Sequence, residues 1–155
     1  MIRDYVYTDI PRILYIIKTA FAEQRGIVTP PSSAESKTIE IVKHELRTAN
    51  ALVFESDGEI IACVFYQPKG ESIYVDRLAV LPEFRRRGVG RSLMEEVEKR
   101  AVELGAPKLS ISVRIELVKQ QNYYRRQGFE IVSKACHEGF STPTYVIMVK
   151  RLTLL

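Results

Sequence analysis

An α/β fold, with a mixed and mostly antiparallel sheet of six to seven strands flanked by about four helices, is predicted by three observations. Two helix-period segments open the chain, three β-branched and aromatic runs follow in series, and the remainder alternates helix, strand, helix and two strands. At 155 residues, 46% hydrophobic and 27% charged, the chain has the length and apolar content of one globular domain spanning 1–155 with one sizeable core.

The first helix is carried by "TDIPRILYIIKTAFAEQRG". Asp9 is its candidate N-cap, Pro11 lies in its first turn, and Ile10, Ile13, Leu14, Ile17 and Phe21 make one face that ends near Gly26. "TPPSSAESKTIEIVKHEL" reads as a second helix, with Ser32 and Glu35 as a capping box and Ile39, Val42 and Leu46 as its apolar stripe. The period then switches to two. "ALVFES", "EIIACVFY" and "SIYVDRLAV" are separated by Asp57-Gly58 and by "QPKGE", the turn chemistry of an antiparallel meander. "SLMEEVEKRAVELG" continues a stripe from Val89 through Leu93, Met94, Val97, Ala101 and Leu104, with Gly105 as a stop. A strand "KLSISV", a helix ending "NYYRRQG", and strands "FEIVSKAC" and "TYVIMVK" complete an order ααβββαβαββ.

Charge and cysteine content narrow the class. The net charge of +4 arises from 23 basic and 19 acidic residues, an excess too mild to argue by itself for nucleic acid. The two cysteines, Cys63 and Cys136, are far apart and lack metal or redox spacing, so they read as buried thiols of a reducing, cytoplasmic protein. Asp4 and Asp9 interrupt any export signal, and no run of about 18 apolar residues exists to span a membrane. His44 and His137 have no partner at ligand spacing, so no metal site is expected.

The segment "RRRGVGRS" is the strongest functional signal. It places Gly88 and Gly90 at the start of a helix, where unpaired amides and the positive dipole end favour an anion and a missing Cβ lets phosphate approach. Four arginines between 85 and 91 are unfavourable at a helix start unless an anion joins them. A solvated basic turn is the plain alternative. A dinucleotide fingerprint fails because Leu93 stands where a third glycine is needed, a Walker loop fails on spacing, and Ser92 lacks the glycine that completes a nucleophile elbow.

"RRRGVG", preceded by "LAVLPEFR" and followed by an amphipathic helix, resembles the Arg/Gln-x-x-Gly-x-Gly/Ala signature of the GCN5-related N-acetyltransferases. "NYYRRQGFEIV" is similar to that family's Tyr-x-x-x-Gly-Phe segment, with Tyr124, Gly128 and Phe129 in register. The resemblance covers essentially the whole chain and implies a GNAT-like fold that uses acetyl-coenzyme A as co-substrate. It implies that the backbone of Arg85, Arg86, Arg87, Gly88, Val89, Gly90 and Arg91 holds the pyrophosphate. It further implies that the strand Leu78, Ala79 and Val80 runs beside the pantetheine arm and offers an amide to the oxyanion, and that Tyr124 is the general acid.

A phenol with a reference pKa near 10 is a suitable proton donor to a departing thiolate whose conjugate acid lies near 8.5. Tyr123 and Tyr124 as packing aromatics is the alternative. The attacking amine must be neutral, which costs an ordinary lysine about 4.6 kcal/mol at neutral pH. Asp76 is the first candidate base, with Glu71 and Glu116 behind it; His137 in "ACHEGF" reads as a surface-turn histidine, with a place in the lining of the acceptor pocket as the alternative.

Many family members carry an asparagine seven residues before the tyrosine, where this chain has Leu117. "TPPSSAES", "LVKQ" and "STPTYVIMVKRL" instead resemble a branch that reads Leu-Pro-x-Asn after the fifth strand, with Val118 and Gln120 in place of its proline and asparagine. The amide of Gln120 is then the candidate contact to the pantetheine arm. Acetyl transfer to a primary amine, on a small molecule or a peptide, is the expected activity. A non-catalytic acyl-CoA sensor or partner subunit is the second reading, and a nucleic-acid module built on "RRR" and "YYRR" the third. A homodimer through the C-terminal strands is common in similar proteins.

Overall fold

The structure, a computed structural model, describes residues 1–153. Its seven-stranded sheet has the order β1-β2-β3-β4-β5-β7-β6. The strands are β1 (Ile2–Asp4), β2 (Asn50–Ser56), β3 (Glu59–Lys69), β4 (Ser72–Val80), β5 (Lys108–Arg114), β6 (Glu130–Ala135) and β7 (Tyr145–Arg151). Helices α1 (Ile10–Phe21), α2 (Ile39–Glu45), α3 (Val89–Glu103) and α4 (Val118–Arg126) cover its faces. All pairings are antiparallel except β4 with β5. The α/β class, four helices and mixed sheet agree with the sequence, which lacked only β1. Three residues are too short to show a period.

The central strands are buried on both faces, so β3 is a near-continuous apolar run without alternation. Period two still sorts the side chains. Leu52, Ala62, Val64 and Tyr66 face a core closed by Leu93, Met94 and Val97 of α3. Ala51, Val53, Cys63 and Phe65 face a second core closed by Ile13, Ile16 and Ile17 of α1 and Val42 of α2. The Asp57-Gly58 turn has both residues at positive φ, 52° and 81°, which matches the twist of the β2–β3 hairpin.

Three local expectations are corrected. Asp9 occupies the N-cap position of α1, but its carboxylate makes no capping bond to the helix; it accepts from the Val6 N–H at 2.7 Å and from Arg3 Nη1 at 2.8 Å, tying β1 to the first turn. Ser32 does cap, accepting from the Ala34 N–H at 3.2 Å, but the element is a short 3₁₀ turn over Ser33–Ser36. Glu35 pairs with Arg25, and α2 begins at Ile39 with Thr38 as its cap, accepting from Ile41. Cys63 is buried as expected, whereas Cys136 is exposed. No helix among the described residues is long and apolar enough to cross a membrane.

One irregularity positions the site. Phe65 pairs with Asp76 and Cys63 with Ala79, so Val64 alone faces both Arg77 and Leu78: a β-bulge in β4, with Arg77 at φ 51°. A bulge bends its strand and raises its twist. The parallel pairing of β4 with β5 covers only Ser72–Tyr74 against Lys108–Ser110, and beyond it the two strands part.

Candidate active site

The gap between β4 and β5 opens into two connected cavities. The larger, about 1210 Å³, runs along β4 to the N-terminus of α3. The smaller, about 470 Å³, lies between the β4 bulge and the end of β5. Phe21, Gln24, Leu78, Leu117, Gln120 and Tyr124 line both, so they form the junction. Of the candidate cofactor-binding residues, all but Arg87 line the larger cavity, as do Tyr124 and Glu116; Asp76 lines the smaller one, and Glu71 lines neither.

Where the larger cavity meets α3, Gly88 is the N-cap of the helix in the left-handed region, φ 77°, and no side chain among the described residues caps it. Intrahelical pairing starts with the Ser92 N–H donating to Gly88 O at 2.9 Å, leaving the preceding amides outside the ladder. A Cβ added at Gly88 would meet nothing within 4 Å, and one at Gly90 would make only ordinary contacts, 3.6 Å to Val80 and 3.8 Å to the Tyr123 hydroxyl.

The arginines are better compensated than the sequence suggested. Arg85 pairs with Glu23 at 2.5 Å, and its Nε donates to Val80 O at 3.3 Å. Arg91 pairs with Glu95 at 3.2 Å, one helical turn on. Arg87 lies over the ring of Phe84, a groove residue, 5.4 Å from its centroid, and does not itself line the groove. Arg86, at φ 63°, lines the groove.

Backbone alternation aims β4. The Leu81 N–H donates to Ile61 O at 3.0 Å, toward β3, so Val80 points the other way, into the gap that β5 has left. The Arg85 bond to the Val80 carbonyl agrees with that orientation.

Tyr124 is buried, 6% exposed, with its ring edge-on to Phe129 at 5.6 Å and to Tyr123 at 5.3 Å. Burial pushes its phenol well above the ordinary value, and neighbouring Tyr123 adds to the shift, so the hydroxyl stays protonated across the neutral range. The packed ring still lines the junction of the two cavities.

On the facing wall, Asp76 Oδ1 accepts from the Arg77 N–H at 2.8 Å. The Arg77 guanidinium lies 3.7 Å from Asp76 Oδ2 and 3.8 Å from Glu45 Oε2, and it donates to Ser33 Oγ at 2.8 Å. Glu45 also holds Lys37, whose side chain is almost fully buried.

His137, read from sequence as a surface-turn residue, lines the smaller cavity. Its backbone N–H donates to Thr144 Oγ1 at 2.9 Å, its Nδ1 lies 2.5 Å from the same oxygen, and its ring stands edge-on to Tyr145 at 5.1 Å. Burial lowers its pKa below the usual 6.5 and the Arg114 charge lowers it further, against an opposing pull from Glu116, so the ring is neutral at pH 7. Glu116 accepts from the Thr29 N–H at 3.1 Å on the other side of the junction. Sequence reasoning also missed Arg114, which lines the smaller cavity, and Gln121, whose buried amide donates to Arg114 O and Ile115 O at 3.1 and 3.2 Å. Gln121 fixes the end of β5 against α4. Neither residue belongs to a motif, and only the strand splay brings Arg114 to the cavity.

The chain is similar to known proteins. The model of the acetyltransferase (GNAT) family matches residues 14–129. The peptidyl-lysine N-acetyltransferase YiaC of Escherichia coli K12 is 30% identical over 102 residues, 66% of this chain, and the match spans 64% of that relative's length. Among solved structures, the PaiA N-acetyltransferase of Thermoplasma acidophilum, in complex with coenzyme A, superposes with a TM-score of 0.82 at 18% identity, covering 97% of this chain and 98% of that one. A GNAT family acetyltransferase of Elizabethkingia anophelis with acetyl-CoA bound gives 0.72 at 20% identity, covering 98% and 97%. With the signature loop, the splayed strands and the buried tyrosine all inside the matched residues, the chain belongs to the acetyltransferase (GNAT) family.

Proposed function

We propose that the protein transfers an acetyl group from acetyl-coenzyme A to a primary amine, with Tyr124 as general acid and Asp76 as the group that receives the amine proton. The observation that carries this reading is the junction: a long groove and a smaller polar cavity meet at Leu78, Gln120 and Tyr124.

The residues present fit the co-substrate. The uncapped start of α3, bare of Cβ at Gly88 and Gly90, suits a pyrophosphate, and the Arg86 side chain adds charge to the same wall. The Leu78–Val80 backbone has no strand partner toward β5 and, apart from the Val80 carbonyl held by Arg85, is free to hydrogen-bond an extended amide-bearing arm, with Gln120 on the same groove. Bound acetyl-coenzyme A supplies an activated thioester carbonyl.

The chain's own groups then divide the work. The Val80 N–H is directed into the gap, where charge develops on the carbonyl oxygen as the amine attacks. Tyr124 holds its proton at neutral pH and delivers it to the departing sulfur. Asp76, fixed by its bond from the Arg77 N–H, accepts the proton that the amine must lose, directly or through water.

The test is calorimetric titration of the purified protein with coenzyme A, followed by an assay of thiol release from acetyl-coenzyme A over a panel of amines. Binding with amine-dependent release is expected. Failure to bind coenzyme A overturns the reading, and binding without release reduces the protein to an acyl-CoA sensor.

A further inference from the structure

Resting on that reading, we propose that the acceptor is a small zwitterion, an amine carrying its own carboxylate, and that Arg114 on the β5 wall receives the carboxylate. The amine then points toward Asp76 and the junction.

Charge in the smaller cavity supports a ligand of mixed sign. Its lining includes the cations Lys69, Arg77 and Arg114 and the anions Asp76 and Glu138, with His137 neutral at pH 7. The cations are not equivalent. Arg77 is already engaged by Asp76 and Glu45, and Lys69 lies over the Tyr74 ring at 4.8 Å. Arg114 makes no ion pair among the described residues; its guanidinium donates only to the carbonyls of Pro30, at 2.6 Å, and Pro31, at 3.4 Å. Burial and the nearby Arg77 charge both disfavour its ionised form, with Glu116 partly offsetting them.

A partly buried cation without a counter-ion is costly, and a guanidinium carries five donors in a planar fork, of which two are used here. The remaining donors match the two oxygens of a carboxylate. A polyamine would instead bring further positive charge against three cations. The cavity's volume, about 470 Å³, falls within the roughly 300–1,000 Å³ of small-molecule sites. Asp76 and Arg114 thus offer the two poles that an amino-acid-like acceptor requires.

The experiment compares free amino acids with their carboxamides as acceptors for the full chain, with a lysine-containing peptide as a third arm. Removing the carboxylate makes an α-amine less basic and leaves more of it neutral, so chemistry alone favours the amide. A preference for the free acid therefore reports binding. At least one free amino acid is expected to exceed its amide in kcat/KM by roughly tenfold to a hundredfold, the range of a charge-assisted contact.

Arg114→Gln is expected to bring that ratio toward one, chiefly through KM, and Arg114→Lys to retain part of it. The melting temperature, measured with coenzyme A present, should rise with the free amino acid more than with the amide. Equal turnover of acid and amide, a peptide that outperforms every free amino acid, or an Arg114→Gln loss that falls equally on acid and amide would each overturn the assignment. If no amine releases thiol while free amino acids still bind in an Arg114-dependent way, the acetyl-transfer reading fails and the zwitterion site stands.

Discussion

The backbone N–H of Arg77 donates to Oδ1 of Asp76 at 2.8 Å, and the same residue holds a left-handed φ of 51° at the bulge of β4. A strand irregularity and a local hydrogen bond thereby fix one carboxylate on the wall of the smaller cavity. Asp76→Asn preserves an oxygen acceptor for that N–H but cannot take a proton. At neutral pH the rate of thiol release should fall about 100-fold, within the usual contribution of a general base, while coenzyme A affinity holds. The deficit should shrink as pH rises and more of the amine is neutral. A deficit constant across pH would remove Asp76 from proton transfer.

Tyr124→Phe deletes one oxygen and keeps the ring against Phe129. The melting temperature should hardly move, because the edge-on packing survives, whereas kcat should drop about 100-fold or more. Since burial raises the phenol above its usual 10.0, the wild-type rate should show no loss assignable to Tyr124 as pH rises from neutrality to that value. A descending limb near pH 8 that vanishes in Tyr124→Phe would contradict the buried-acid assignment.

Gly90→Ala separates fold from ligand. The added Cβ would sit at ordinary distances from Val80 and Tyr123, and alanine favours a helix start over glycine by up to about 1 kcal/mol. Stability to urea should stay level or rise slightly, yet calorimetry should show coenzyme A binding weakened about tenfold if phosphate approaches the bare backbone there. Unchanged affinity would place the phosphates elsewhere.

Asp9 gives a pH-dependent stability term far from the chemistry. The Arg3 hydrogen bond holds its carboxyl below the usual 3.8, the Val6 N–H helps, and burial opposes both. A carboxyl with a depressed folded value stabilises the fold fully above its unfolded value and loses that contribution as pH falls through the folded one. Asp9→Asn should cost about 1–3 kcal/mol in urea unfolding at pH 7, and the difference should narrow at about pH 2. An unchanged difference at both values would show that the pair contributes nothing through charge.

The sequence made the glycine turn at the start of α3 and the buried tyrosine legible because both depend on local order: glycines at a helix start, and an aromatic at fixed spacing before Gly128-Phe129. What it hid depends on contacts between distant segments. Glu23 of the turn after α1 meets Arg85, 62 residues on, which turns an apparent charge surplus into an ion pair. The bulge at Arg77 exists only as a register offset against β3, and Arg114 and His137 come to one cavity through the pairing of β5, β7 and β6, in which Arg114 and Ala135 both oppose Tyr145. Asp9 satisfied the rule for a cap and spent its oxygens on Arg3 and Val6 instead.

The separation of β4 from β5 leaves main-chain groups of an inner strand without the neighbour that a continuous sheet would provide. An extended, amide-bearing co-substrate can act as that missing neighbour, closing the sheet from within. Amide protons of Leu78 and Val80 should then exchange with deuterated solvent readily in the empty protein and slowly once the groove is filled. On the proposed reading, filling the groove is the last step of sheet assembly, and the protein is most rigid once it is loaded.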